Sequence, residues 1–155
     1  PHEIELTVPV RLPPDHPVPA RGLLEHTADL GLWVAADDPA QLFTAAVGAL
    51  AELMVSGSRQ GQLTWLPLEL EAGDWAELLV ALLNEVVYLW DGESLLTVAL
   101  ELDQLDPTHL QGRLGVIPRD ATRHRTVEPI KAVTYHQALV EPQGQGWRAQ
   151  VILDV

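Results

Sequence analysis

The sequence predicts an α+β fold, with two helices packed on a largely antiparallel β-sheet or sandwich. Three observations lead to it. Two segments, one after Asp38 and one after Asp74, carry apolar residues at helical spacing. Elsewhere apolar and polar residues alternate with the period of a strand. The last third of the chain holds only such alternating runs, separated by turn-forming residues, so its strands are expected to pair as hairpins.

The elements follow in order. Residues 1–21 hold six of the twelve prolines. Within them EIELTVPV alternates like a strand, and Pro9 confines it to a sheet edge because proline has no N–H to donate. The stretch RLPPDHPVPARG has no helix potential and reads as an extended, proline-rich linker. We therefore divide the chain into an N-terminal extension, 1–21, and a single domain, 22–155. In 30–36, Leu30, Leu32 and Val34 share one face of a strand. Asp38 caps the first helix, Pro39 occupies its first turn, and Leu42, Phe43, Ala46, Leu50, Leu53 and Met54 form its apolar face. Gly57 marks the point where the chain must turn out.

LTWLPLELE is the next strand. Asp74 and Glu77 open the second helix as a capping box with Asp in place of the usual Ser or Thr. Its apolar residues surround most of the cylinder, which predicts burial on most sides. A narrow polar stripe is left: Glu77, Asn84, Glu85, Tyr88 and Asp91. The Asp91-Gly92 pair is expected to end this helix. Leu96–Leu102 and Leu110–Val116 then alternate around Pro107-Thr108, and VEPIKAVTYHQALVE and GWRAQVILDV alternate around PQGQG. Each pair reads as a hairpin.

The chain has no cysteine, which excludes disulfides, thiolate zinc sites and thiol catalysis. No run reaches the roughly 20 apolar residues of a membrane helix, and no signal peptide is recognisable, so the expected location is the cytoplasm. The formal net charge is −13. Residues 60–112 hold ten acidic residues and no Lys or Arg, whereas 113–155 hold five Arg, one Lys and four acidic residues. Phosphate backbones are held by clusters of Lys and Arg, so direct nucleic-acid binding is not expected. Solubility explains the charge by itself, while a cation or a basic protein partner suits it better than RNA does.

No phosphate-binding glycine loop, HExxH or GxSxG motif is present. Three places carry candidate chemistry. The first is EHTADLG, where His26, Thr27 and Asp29 lie between apolar runs. The second is IKAVTYH, with Lys131 and His136. The third is the terminal pair Asp154-Val155, where a side-chain carboxylate and the last residue's own carboxylate lie together. If Asp29 comes near them, three carboxylates converge, and their repulsion calls for a cation. Oxygen-only ligands select a hard ion. The plainer readings are an Asx turn at Asp29, ordinary hydrogen-bonded imidazoles at His26 and His136, and a solvated edge residue at Lys131.

The segments EHTADLGLWV, LLNEVVYLWD, IKAVTYH and WRAQVILDV, in this order and spacing, resemble the archease family over residues 22–155. The resemblance implies a small α+β accessory protein of the RtcB-type RNA ligase, which joins RNA ends in tRNA splicing and RNA repair. Archeases promote guanylylation of that ligase, and with it multiple turnover, without being the ligase themselves. The resemblance also implies a divalent cation, calcium or else magnesium or manganese, at Asp29 and Asp154 with Val155 adding oxygen. Lys131 matches the family's strand lysine, and His26 and His136 are supporting candidates. Three features depart from the pattern. The first 21 residues have no counterpart, Gln137-Ala138 follow TYH where many relatives carry Gly or Asn, and Arg replaces Lys everywhere except at Lys131. The competing readings are a metal-dependent hydrolase with His26 or His136 as general base, and a chaperone-like binding module without chemistry.

Overall fold

The computed structural model describes residues 29–155, together with the backbone of 5–11. Strand β1 (Glu5–Arg11) is followed by β2 (Leu30–Ala36), helix α1 (Pro39–Met54), β3 (Val55–Gly57), β4 (Thr64–Glu71) and helix α2 (Trp75–Glu93). Strands β5 (Leu95–Asp106), β6 (His109–Pro118), β7 (His124–Thr126), β8 (Ala132–Gln143) and β9 (Gly146–Asp154) complete the fold. They form a four-stranded sheet, β1-β2-β9-β8, a three-stranded sheet, β4-β6-β5, and a short β3-β7 ribbon. Every pairing is antiparallel.

Each helix touches both larger sheets: α1 packs on β2 and β5, and α2 on β8 and β5. The helix pair thus lies between the sheets, which is why both helices are apolar on more than one face. Leu42, Phe43 and Leu50 of α1 and Leu78, Leu82 and Leu83 of α2 are wholly buried. At about 1.5–3 kcal/mol for each fully buried large side chain, this layer dominates the stability. Among the described residues no helix is long and apolar enough to cross a membrane.

The caps are those the sequence proposes. Asp38 Oδ1 accepts from the Gln41 N–H at 2.8 Å, with Pro39 in the first turn. Asp74 Oδ1 accepts from the Glu77 N–H at 2.8 Å, while Glu77 Oε1 reaches back to the Gly73 N–H at 2.6 Å. The end of α2 differs from the expectation. The helix runs through Asp91-Gly92 to Glu93, and Ser94 takes the left-handed position (φ 57°, ψ 42°) with its N–H on the Leu89 carbonyl. The β3-β7 ribbon is also absent from the sequence reading, because three-residue strands have no periodicity to detect.

β1 is an edge strand, as Pro9 requires, and its register slips between Thr7 and Val10. β9 is central, flanked by β2 and β8. Both neighbours run against it, so the end of β9 lies between the beginnings of β2 and β8.

Candidate functional site at the end of the central strand

The site is built by register. Leu30 of β2 lies opposite Leu153 of β9, so the next pair outward is Asp29 and Asp154. Directly opposed residues of an antiparallel pair carry their side chains on one face, with Cβ atoms about 5 Å apart. Leu30, at 5% exposure, and Leu153, wholly buried, face the helices. By strand alternation Asp29 and Asp154 therefore share the outer face of the sheet. Asp29 is half-buried and Asp154 exposed. Two like charges directly opposed on a sheet repel each other. A cation relieves that repulsion, and a donor set made of oxygen fits a hard divalent ion. Among the described residues no three His, Asp or Glu side chains gather as a metal-binding group, so further ligands would have to be backbone oxygens or water.

The other flank of β9 brings in IKAVTYH. Ala132 lies opposite Asp154, and the Lys131 N–H donates to the Asp154 carbonyl at 2.8 Å. Lys131 itself is opposite Val155 and out of phase with the two aspartates. Lys131 and Val155 line a groove of about 210 Å³ on the helix side, bounded by Met54 and Trp90 and edged by Asp91 and Glu128. The sheet end thus has two sides: a carboxylate pair outside, and a lysine-lined groove inside.

Asn84, one residue of the polar stripe on α2, fixes β8 beside this groove. Its Nδ2 donates to the Val133 carbonyl at 2.9 Å, and its Oδ1 accepts from the Val133 N–H at 2.8 Å. β8 is a sheet edge, and Asn84 satisfies both backbone groups that a missing neighbour strand would otherwise pair. Sequence reasoning places Asn84 on a polar face and misses this role; an amide among apolar neighbours is the only signal for it.

The histidines stand apart. His26 lies outside the described residues. His136 is exposed and sits in an irregular stretch of β8, between the Thr134–Ile152 and Leu139–Gln150 pairs, where Gln137 has φ 61°. That stretch is further along β8 than the Asp154 end. Tyr135 turns toward α2, where its hydroxyl donates to Asp74 Oδ2 at 3.0 Å. That bond to a carboxylate, with the charge of Asp74 beside it, raises the Tyr135 pKa above its ordinary value.

The fold and the sheet end define a small α+β protein that presents acidic oxygens and a single lysine on paired strands. Compared with known proteins, the chain matches the Archease protein family (MTH1598/TM1083) over residues 22–155. It is 32% identical over 136 residues to the archease of Pyrococcus furiosus, covering 84% of this chain and 95% of that one. To the archease of Methanopyrus kandleri it is 32% identical over 135 residues, covering 85% and 96%. The solution structure of Methanobacterium thermoautotrophicum protein 1598 superposes with a TM-score of 0.60 at 26% identity, over 83% of this chain and 94% of that one. This chain belongs to the archease family.

Proposed function

We propose that this chain is a cytoplasmic accessory protein of an RtcB-type RNA ligase. It raises the rate of ligase guanylylation and its repeated turnover in tRNA splicing and RNA repair, and it does not join RNA itself. Family membership supports this reading. The observation that carries it is the register of β2 on β9, whose continuation one residue beyond the Leu30–Leu153 pair brings Asp29 level with Asp154 from distant parts of the sequence. In this reading Asp29, Asp154 and a backbone oxygen of Val155 hold a divalent cation, calcium for preference. When bound, the ion neutralises the opposed carboxylates and offers a positive charge to a partner's phosphate or carboxylate. Lys131 serves the inner side, where it lines the groove with Val155. The acidic character of the chain suits a partner with a basic RNA-binding surface.

A single-turnover guanylylation assay with the cognate ligase tests the proposal. The expected result is a clear stimulation by the wild type that is lost in Asp29→Asn and Asp154→Asn, with both variants folded by circular dichroism. An unstimulated ligase refutes the accessory role. Calorimetry with calcium tests the cation separately: equal heat from the wild type and the double variant removes the metal while leaving the accessory role standing.

A further inference from the structure

Away from the sheet end, two loops tied by the β3-β7 ribbon enclose a cleft of about 400 Å³. One wall is Gln60 and Gly61; the other is Arg119, Asp120, Arg123 and His124. The walls are already fixed to each other. Arg123 Nη2 donates to Ser58 Oγ at 2.8 Å and to the Gln60 carbonyl at 3.2 Å. His124, only 7% exposed, accepts at Nδ1 from the Asp120 N–H at 2.9 Å and lies 2.8 Å through Nε2 from the Ser58 carbonyl. A carbonyl only accepts, so Nε2 is the donor of that contact, and both ring nitrogens are engaged. Arg119 lies over Trp90, its guanidinium carbon 4.5 Å from the centre of the ring.

The arginines of the cleft differ from Arg113 and Arg148, although Arg59 and Arg125 are likewise without an ion pair among the described residues. Arg113 is held by Glu101 and Asp103, and Arg148 faces Glu141 at 3.7 Å. Arg119 and Arg123 have no carboxylate within ion-pair distance among the described residues. The one acid in the cleft, Asp120, spends Oδ1 on the Thr122 N–H at 2.9 Å and the Thr122 hydroxyl at 2.7 Å, and its charge acts on Arg123 from beyond ion-pair distance. Two exposed guanidiniums with open N–H donors, one stacked on Trp90 and one tied to the facing loop, match the oxygens of a phosphate group.

We propose that this cleft binds a phosphate group carried by a small ligand, seated between Arg119 and Arg123. The limit on size follows from the field around it. The chain carries a net charge of −13, and the segment leading from Gln60 through β4 to β6 holds ten carboxylates and no cation before Arg113. A long polyanion leaving the cleft meets that repulsion, whereas a compact one does not. The inference is independent of the ligase reading, because it uses neither the carboxylate pair nor Lys131; the two places share only Trp90, which bounds the groove and carries Arg119.

Backbone amide NMR shifts of the full chain, titrated with sodium pyrophosphate, a nucleoside monophosphate and a short single-stranded RNA without terminal phosphate, test it. The two small ligands are expected to give saturable shifts confined to 57–62 and 118–124. Arg119→Gln and Arg123→Gln should each weaken binding by about tenfold or more, the loss of a charge-assisted contact. Arg113→Gln should leave it unchanged. Arg123 also bridges the loops, so Arg119→Gln, which breaks no loop bond, is the decisive variant. Shifts scattered over the surface, or equal affinity in Arg119→Gln, overturn the site. Tighter binding of the RNA than of either small ligand at these amides overturns the size limit.

Discussion

Asn84→Ala is the sharpest test of how α2 sets the geometry of β8. The substitution removes two hydrogen bonds, at 2.9 and 2.8 Å, from the backbone of Val133, a residue that is only 3% exposed. Each bond contributes about 1 kcal/mol net, and leaving buried partners unpaired adds about 1 kcal/mol more. The better helix propensity of alanine returns about 0.5 kcal/mol. The expected loss is about 2–3 kcal/mol, or about 4–12 °C in Tm for a chain of this size. Thermal unfolding by circular dichroism reads the total, and hydrogen exchange at the Val133 amide reads the cause. Asn84→Asp is expected to be no better than Ala, because it keeps the acceptor for the N–H but sets a carboxylate against the Val133 carbonyl. A Tm within about 1 °C of wild type, with Val133 still protected, refutes the idea that Asn84 stands in for a strand.

Two further outcomes are expected. Gly57 has φ 121°, and a Cβ built there overlaps the Arg123 carbonyl oxygen, so Gly57→Ala should cost about 2–4 kcal/mol by denaturant unfolding. A loss under about 0.5 kcal/mol would mean that the β3-β7 ribbon yields freely. The second concerns acid. The Thr108 N–H holds the Asp106 carboxyl below its usual value, and the Thr122 hydroxyl does the same for Asp120. Both folded values are depressed, so their stabilisation is complete above about pH 4 and fades as pH falls through the lowered folded values. The double variant Asp106→Asn, Asp120→Asn should therefore show a shallower loss of stability below about pH 4, and an unchanged slope contradicts this.

Much of the fold is legible because burial imposes a period. The bounds of β2, the caps at Asp38 and Asp74, and both long hairpins follow from alternation and turn chemistry. Features with no period were missed. The β3-β7 ribbon is too short to alternate. Asp91-Gly92 is a sound stop signal in isolation, yet α2 continues because Ser94 accepts the left-handed conformation one residue past Glu93. Its carbonyl is also tied to the Arg119 N–H at 2.9 Å. His124 and Asn84 are buried or half-buried polar groups that each reach a backbone carbonyl on a distant segment, Ser58 for His124 and Val133 for Asn84, and no local pattern announces them.

The sheet end was half legible for a similar reason. Alternation alone puts Asp29 out of phase with Leu30, and Asp154 out of phase with Leu153, so each aspartate faces away from the core. What alternation cannot supply is which strands are neighbours; the β2-β9 pairing does that and makes the two carboxylates opposites. The same phase rule separates Lys131 from them. Asp154 and Val155 are consecutive, so one faces outward beside Asp29 and the other inward beside Lys131. The two sides are joined by one backbone bond, from the Lys131 N–H to the Asp154 carbonyl at 2.8 Å. Under the proposed function, a cation that steadies Asp154 also steadies the backbone from which Lys131 enters the groove. Loss of calcium should then raise hydrogen exchange at the Lys131 amide before it raises exchange at Val133, whose N–H is held by Asn84 instead. Equal acceleration at both amides would mean that the strand end moves as one piece, and that the outer and inner sides are not coupled through that bond.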